Sequence, residues 1–340
     1  MYAATRSPKS FWITVAALAG LLAGACGHDS ARPSASANAS SAAVPATPAQ
    51  IGVPPADAAP PATQTGGFDG AKAYDQVAKL VAFGPHPPAS DGIHAAQNYI
   101  HAQLQSFGCA VDEDDFNAQT VMGAMAMKNI VAKIPGTGQG IILLLTHYDT
   151  KRVDNFVGAE DGGSSTGLML EMARILCSRP KQTNAVWIAF LDGEETQAQF
   201  NWDTADSIYG SRELAARMAL TGELKRIRSV ILADMVGQYG LHILRDSDSP
   251  KWLSDTIWNI AARLGYQSVF VSQATSTEDD NLPFIDRHVS VIDLIDLNDY
   301  ITLGYWHTAQ DTLDKISPRN LAIVGHVILE SVNALQSKFH

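Results

Sequence analysis

The sequence predicts a three-layer α/β/α single domain on a central mixed, mostly parallel sheet, and three features carry that reading. Short apolar runs recur along the chain, with segments of helical apolar spacing between them. The run 185–191 is apolar at every position, as a strand covered on both faces requires. The interval between Ile130 and Ile142 is too short for a crossover helix, which predicts an antiparallel pair there and hence a mixed sheet.

Taken in order, residues 71–81 have apolar positions at helical spacing. A second helix over 91–107 has Ser90 or Asp91 as its cap. Strands at 129–134 and 141–146 flank the turn Pro135-Gly136-Thr137-Gly138. The alternation continues with helix 167–176, strand 185–191, helix 210–218 and strand 230–235. Helix 252–264 and strand 289–294 follow. The last helix covers 318–337, with Ser317 as cap and Pro318 at its first position. Neither a second folded domain nor an internal repeat is evident.

The chain has 340 residues, 46% hydrophobic and 17% charged, enough to bury a substantial core. A formal net charge of -11, with no basic stripe, excludes a nucleic-acid binder. Residues 1–26 read as an export signal: Arg6 and Lys9 precede an apolar run that ends in small residues and Cys26. Leu21-Leu22-Ala23-Gly24-Ala25-Cys26 resembles a bacterial lipoprotein cleavage box. It predicts lipidation of Cys26 and a place in the periplasm or at the cell surface, with plain secretion as the alternative. Membrane contact is then expected only through that anchor. Residues 27–70 are dominated by Ala, Ser, Pro, Thr and Gly and read as a disordered tether. The catalytic body is placed at 71–340. Cys109 and Cys177 are expected as two separate buried thiols, with a single bond in an oxidising compartment as the alternative.

Ionisable residues gather just after the apolar strands. Leu143-Leu144-Leu145 leads to Thr146-His147-Tyr148-Asp149, and 187–191 leads to Asp192-Gly193-Glu194-Glu195. Strand 230–233 leads to Asp234, and the loop Gly158-Ala159-Glu160-Asp161-Gly162-Gly163 lies between the first two. Tyr305-Trp306-His307-Thr308 precedes the last helix. Carboxyl ends of neighbouring strands converge on one crevice in open α/β sheets. His147, Asp161, Glu195, Asp234 and His307 therefore form a candidate nitrogen and oxygen ligand set for zinc. Each alone has a plainer role: Asp161 as a helix cap, Asp234 as a solvated strand end, the histidines as hydrogen-bonded core residues. Two adjacent carboxylates after a fully apolar strand favour a metal, one ligating and the other free as a base. No dinucleotide fingerprint, Walker loop or Gly-x-Ser-x-Gly elbow is present.

At these residues the sequence resembles the zinc aminopeptidase superfamily (peptidase family M28), and within it the animal-type glutaminyl-peptide cyclotransferases. The similarity covers about 71–335 and rests on five segments: Thr146-His147-Tyr148-Asp149, Val157-Gly158-Ala159-Glu160-Asp161, Asp192-Gly193-Glu194-Glu195, Ala233-Asp234-Met235-Val236-Gly237 and Trp306-His307-Thr308. The resemblance implies Asp161, Glu195 and His307 as ligands of one zinc and Glu194 as general acid/base, with Asp234 and Asp279 in a proton network. In the aminopeptidase branch His147 and Asp234 join as ligands and Asp161 bridges two zinc ions. The segment Trp202-Asp203-Thr204-Ala205-Asp206-Ser207-Ile208-Tyr209-Gly210-Ser211-Arg212 and the run Glu278-Asp279-Asp280-Asn281-Leu282-Pro283-Phe284 are similar to the cyclotransferases. By that resemblance Trp202, Trp306 and Asp293 belong to the substrate pocket. Asn281 and Asp293 depart from it, because the animal enzymes carry histidine at both places; a disulfide flanking their site has no counterpart, since Thr146 stands there. The expected activity is conversion of an N-terminal glutamine of peptides or proteins to pyroglutamate. A di-zinc aminopeptidase is the alternative, followed by a non-catalytic metal-binding relative. A monomer is the expectation.

Overall fold

The computed structural model describes residues 57–198 and 201–339. The export signal, the Cys26 anchor and the tether up to residue 56 lie outside the described residues. From Asp57 onward the tether reading needs correction. Ala62–Gln64 is a short 3-10 turn, Phe68 is fully buried, and Ser317 donates a hydrogen bond to Asp57 at 3.3 Å. The physical reason is one aromatic side chain. A Cβ on Gly325 would stand 2.3 Å from the Phe68 ring, so that glycine makes the slot in which the ring sits.

Helices α1 (Gly70–Val81) and α2 (Asp91–Ser106) come first, with Asp69 and Ser90 accepting from the free N–H groups of their opening turns. A hairpin of β1 (Ala110–Thr120) and β2 (Gly123–Ile134) follows, then β3 (Ile141–His147), α3 (Gly163–Cys177) and β4 (Ala185–Leu191). Next are α4 (Tyr209–Thr221), β5 (Ile227–Ala233), β6 (Ile243–Asp246), α5 (Lys251–Arg263) and β7 (Phe270–Thr275). The chain finishes with α6 (Leu282–Ile285), β8 (Val291–Leu294), α7 (Leu297–Thr302) and α8 (Pro318–Lys338). Ser317 caps α8 by accepting from the Asn320 N–H.

The main sheet has the order β1-β2-β4-β3-β5-β8. Strands β4, β3, β5 and β8 are parallel, while β1 and β2 run antiparallel at one edge. The sheet is mixed as expected, but the pairing is not: β2 lies on β4, with Ile130 opposite Phe190, and β4 separates it from β3. Alternation along the central strands sends their side chains to two cores. Ile142, Leu144, Ile188 and Ile231 face α1, α2, α3, α5 and α8, whereas Leu143, Leu145, Trp187 and Leu232 face α4 and α6. That gives three layers. Strand β1 was not expected, because Asp112, Glu113, Asp114 and Asp115 hide its alternation. On the exposed edge those acids pair across the hairpin, Lys133 with Asp112 at 2.9 Å and Lys128 with Glu113 at 2.7 Å. A separate parallel pair, β6 and β7, stands beside the main sheet.

Cys109 and Cys177 form a disulfide, which corrects the expectation of two thiols. It joins the start of β1 to the end of α3 across 68 residues of sequence. Closing so long a loop restricts the unfolded chain. Reduction, or Cys109→Ser with Cys177→Ser, is expected to cost about 2–4 kcal/mol and to lower the midpoint of thermal unfolding by roughly 5–10 °C. Scanning calorimetry with and without reductant checks this.

Candidate active site

Five ligand-type side chains meet at the carboxyl ends of the parallel strands. His147 closes β3, Asp161 precedes α3, Glu195 follows β4, Asp234 follows β5, and His307 comes from the loop before α8. Asp161 sits between the two histidines. His147 Nε2 lies 3.4 Å from its Oδ1, and His307 Nε2 lies 3.3 Å from its Oδ2. His147 Nε2 is also 3.1 Å from Asp234 Oδ1, and His307 Nε2 is 3.3 Å from Glu195 Oε2. Two groups result, Asp161–Glu195–His307 and His147–Asp161–Asp234, each with ligand atoms within 4.8 Å of one another and all residues buried.

Local chemistry holds this geometry. Gly162, at φ 79°, lets the chain turn over His147, where an added Cβ would come within 2.8 Å of the imidazole. Asp161 is therefore not the cap of α3; the capping position is Gly162, with no side-chain bond. Asp311, a residue without a sequence signal, accepts the Glu160 N–H at 2.8 Å and the Asp161 N–H at 3.1 Å. Tyr300 donates to the same Asp311 carboxylate at 2.6 Å. Glu160 in turn accepts the Gly237 N–H, fastening the loop to the end of β5. Asp149 performs the equivalent task for the carboxylate pair, accepting the N–H groups of Glu194 at 3.0 Å and Glu195 at 3.3 Å. Buried Lys151 places its ammonium 3.3 Å from Glu195 Oε2 and donates to Thr196. Glu195 Oε1 is left buried with no hydrogen-bond partner. His307 holds φ at 55°, a left-handed conformation sustained by stacking on Trp306 at 3.8 Å and an edge contact with Phe156.

The electrostatics fit a cation. Burial disfavours the charged forms of both histidines, yet surrounding carboxylates outweigh it. Asp234 and Glu194 hold His147 well above its ordinary range, and Glu195 and Asp161 push His307 up to about 9. Against the effect of burial, hydrogen bonds from both histidines hold Asp161 well below the usual carboxylate range. Burial pushes Glu194 well up; His147 opposes this, and Asp279 and Glu195 add to it. Two imidazoles and several carboxylates, one with an orphan buried oxygen, are a donor set that a divalent ion would satisfy.

A cavity of about 250 Å³ opens beside these groups. Asp161, Glu194, Asp234, Asp279 and His307 face it, and Trp202, Met235, Ile295, Leu297 and Trp306 give it apolar walls. Asp279 is 2% exposed and pushed well up by burial and by Asp234. Asp293, placed in the pocket by resemblance, does not line it. Strand alternation turns Asp293 toward the α4 and α6 side of β8, where it is buried and pushed up by burial, Asp279 and Asp246.

Comparison with known proteins agrees with this geometry. The glutaminyl cyclase of an Acidobacteriales bacterium superposes with a TM-score of 0.75 at 36% identity, covering 87% of this chain and 100% of its own. A zinc-dependent exopeptidase from Parabacteroides distasonis gives 0.70 at 26% identity, covering 77% and 97%. The glutaminyl-peptide cyclotransferase of Gloydius blomhoffii is 29% identical over 289 residues, 72% of this chain and 77% of that protein. The fold is that of the zinc exopeptidase class. A match to peptidase family M28 spans residues 129–332, and the chain belongs to that family.

Asp311 reaches the ligands only through the backbone it holds, so it is a positioning residue. Asp311→Asn is expected to lower zinc affinity about 10–100-fold. Competition against a chromophoric chelator measures it.

Proposed function

We propose that this protein is a zinc-dependent glutaminyl-peptide cyclotransferase, converting an N-terminal glutamine to pyroglutamate with release of ammonia. The observation that carries the reading is the tryptophan-walled cavity floored by Glu194, Asp234 and Asp279 beside the Asp161–Glu195–His307 group. Those three ligands would hold one zinc, whose chemistry is to polarise the γ-carbonyl of the glutamine side chain.

The residues of the chain do the rest. Trp202 and Trp306 pack on the methylenes of the glutamine and hold the side chain folded back, so that the α-amine meets the γ-carbonyl carbon intramolecularly. Glu194 accepts the proton that the amine loses as the ring C–N bond forms. It returns that proton to the amide nitrogen as the C–N bond to ammonia breaks. Its raised pKa suits both halves of the transfer. Asp279 and Asp234 share the proton network beside it.

A di-zinc aminopeptidase is the second reading, favoured by the His147–Asp161–Asp234 group, which shares Asp161 with the first. Substrates in either case are peptide or protein N-termini, and the protein acts as a monomer in this reading. Export, with a lipid anchor at Cys26, is also part of the proposal. The disulfide supports an oxidising compartment. No helix among the described residues is long and apolar enough to cross a membrane.

The zinc-loaded protein is to be incubated with a peptide beginning Gln and a matched one beginning Leu, and the products weighed by mass spectrometry. Loss of one ammonia from the first alone is the expected result; shortening of either by one residue would overturn it. Glu194→Gln is expected to lower turnover about 10²–10⁴-fold while zinc stays bound, as metal analysis will report. The acid limb of the kcat/KM profile should lie above the ordinary glutamate range, because Glu194 must be ionised to act as base. Asp279→Asn removes a like charge, lowers the Glu194 pKa and should move that limb to lower pH.

A further inference from the structure

The mouth of the cavity carries one charge that the reaction does not use. Glu278 lines it, is exposed, and has neither an ion pair nor a hydrogen bond among the described residues. No lysine or arginine lines the cavity to neutralise it. A free carboxylate on a loop would ordinarily swing through solvent, but the backbone that bears this one is held on both sides. Asn281 folds back beneath it, its Oδ1 accepting the Asp279 N–H at 3.2 Å and its Nδ2 donating to the Thr277 carbonyl at 3.5 Å. On the upstream side, Ser276 donates to Asp248 Oδ2 at 2.5 Å, which brings a second exposed carboxylate behind the rim. Beneath the rim Asp279 is buried, faces the same cavity and keeps Oδ2 unpartnered. The residue after the bound glutamine must leave through this mouth.

We propose that Glu278 is a specificity-determining residue, favouring peptides with lysine or arginine at the second or third position over peptides with glutamate or aspartate there. The inference rests on the cyclotransferase reading and adds to it the charge of the substrate beyond the reacting residue. Asn281 is the positioning residue that holds the Glu278 backbone at the mouth. An exposed attraction in one peptide and an exposed repulsion in the other combine to a preference of roughly 5–20-fold in kcat/KM. Because the contact is made before and during ring closure alike, the difference should lie in KM more than in kcat.

The test uses the zinc-loaded full chain and amidated glutaminyl tetrapeptides that differ only in lysine or glutamate at the second position and, separately, at the third. The unsubstituted enzyme should prefer lysine, and about 0.5 M salt should shrink the preference severalfold. In Glu278→Gln the ratio should fall toward one, and in Glu278→Lys it should invert. Equal rates for the paired peptides in the unsubstituted enzyme would overturn the inference. So would a preference that survives both substitutions, or one that is indifferent to salt. The salt series needs no variant, so it decides the matter even if a substituted chain folds poorly. Failure of every glutaminyl peptide to react would overturn the cyclotransferase reading and this inference with it.

Discussion

The placement of Asp161 between His147 and His307 is the constraint around which the site is built. A single buried carboxylate bonded to two imidazoles fixes the distance between strand β3 and the loop before α8, which are far apart in sequence. Its backbone is held by Asp311, its neighbour Glu160 by Gly237, and the turn after it needs the absent side chain of Gly162. None of these supports would have a purpose at an ordinary helix start. They hold negative charge where water is scarce, and the nearby positive groups are two histidines and Lys151. An ion completing that balance contributes to folding as well as to chemistry.

Around Glu194 and Asp279, and behind the cavity wall at Asp280 and Asp293, the excess of carboxylates takes another form. Burial and mutual repulsion keep Glu194, Asp279 and Asp293 above the usual range, and Asp280 is pushed up to about 7. Each of these carboxyls thus holds its proton to higher pH than an exposed one would. The tryptophan walls matter to that property, because excluding water strengthens each of these interactions. One wall also serves the metal side directly: Trp306 both lines the cavity and lies flat on His307.

The elements readable in the sequence were those whose pattern is imposed by burial. Strands β3, β4 and β5 lie at the centre of the sheet, so unbroken apolar runs announce them and their ends announce the crevice. Strand β1 lies at the edge, where acidic residues replace the pattern. The order β2-β4-β3 is a matter of long-range pairing that no local spacing encodes. Ligand-type residues were legible for the same reason as the strands, since each follows an apolar run or a glycine turn. Asp149, Lys151 and Asp311 were not, because a supporting residue works through one backbone or side-chain contact and leaves no periodicity behind. Asp293 does not line the cavity, because resemblance identifies a position but not its face; alternation along β8 puts it on the α4 and α6 side, with Asp279 and Asp234 among the charges acting on it.

The Cys109–Cys177 bond has a consequence beyond stability. The segment it encloses carries β1, β2, β3 and α3, together with His147 and Asp161. A protease that cuts once anywhere inside that segment leaves two pieces still covalently joined, with both of these ligand-type residues on the joined assembly. The stretch that supplies His147 and Asp161 is thus within a ring that survives a single nick, while the rim residues Trp202, Glu278 and Trp306 lie outside it. The crosslink therefore keeps two of the five ligand-type residues on one covalent body even where the backbone between its cysteines is cut.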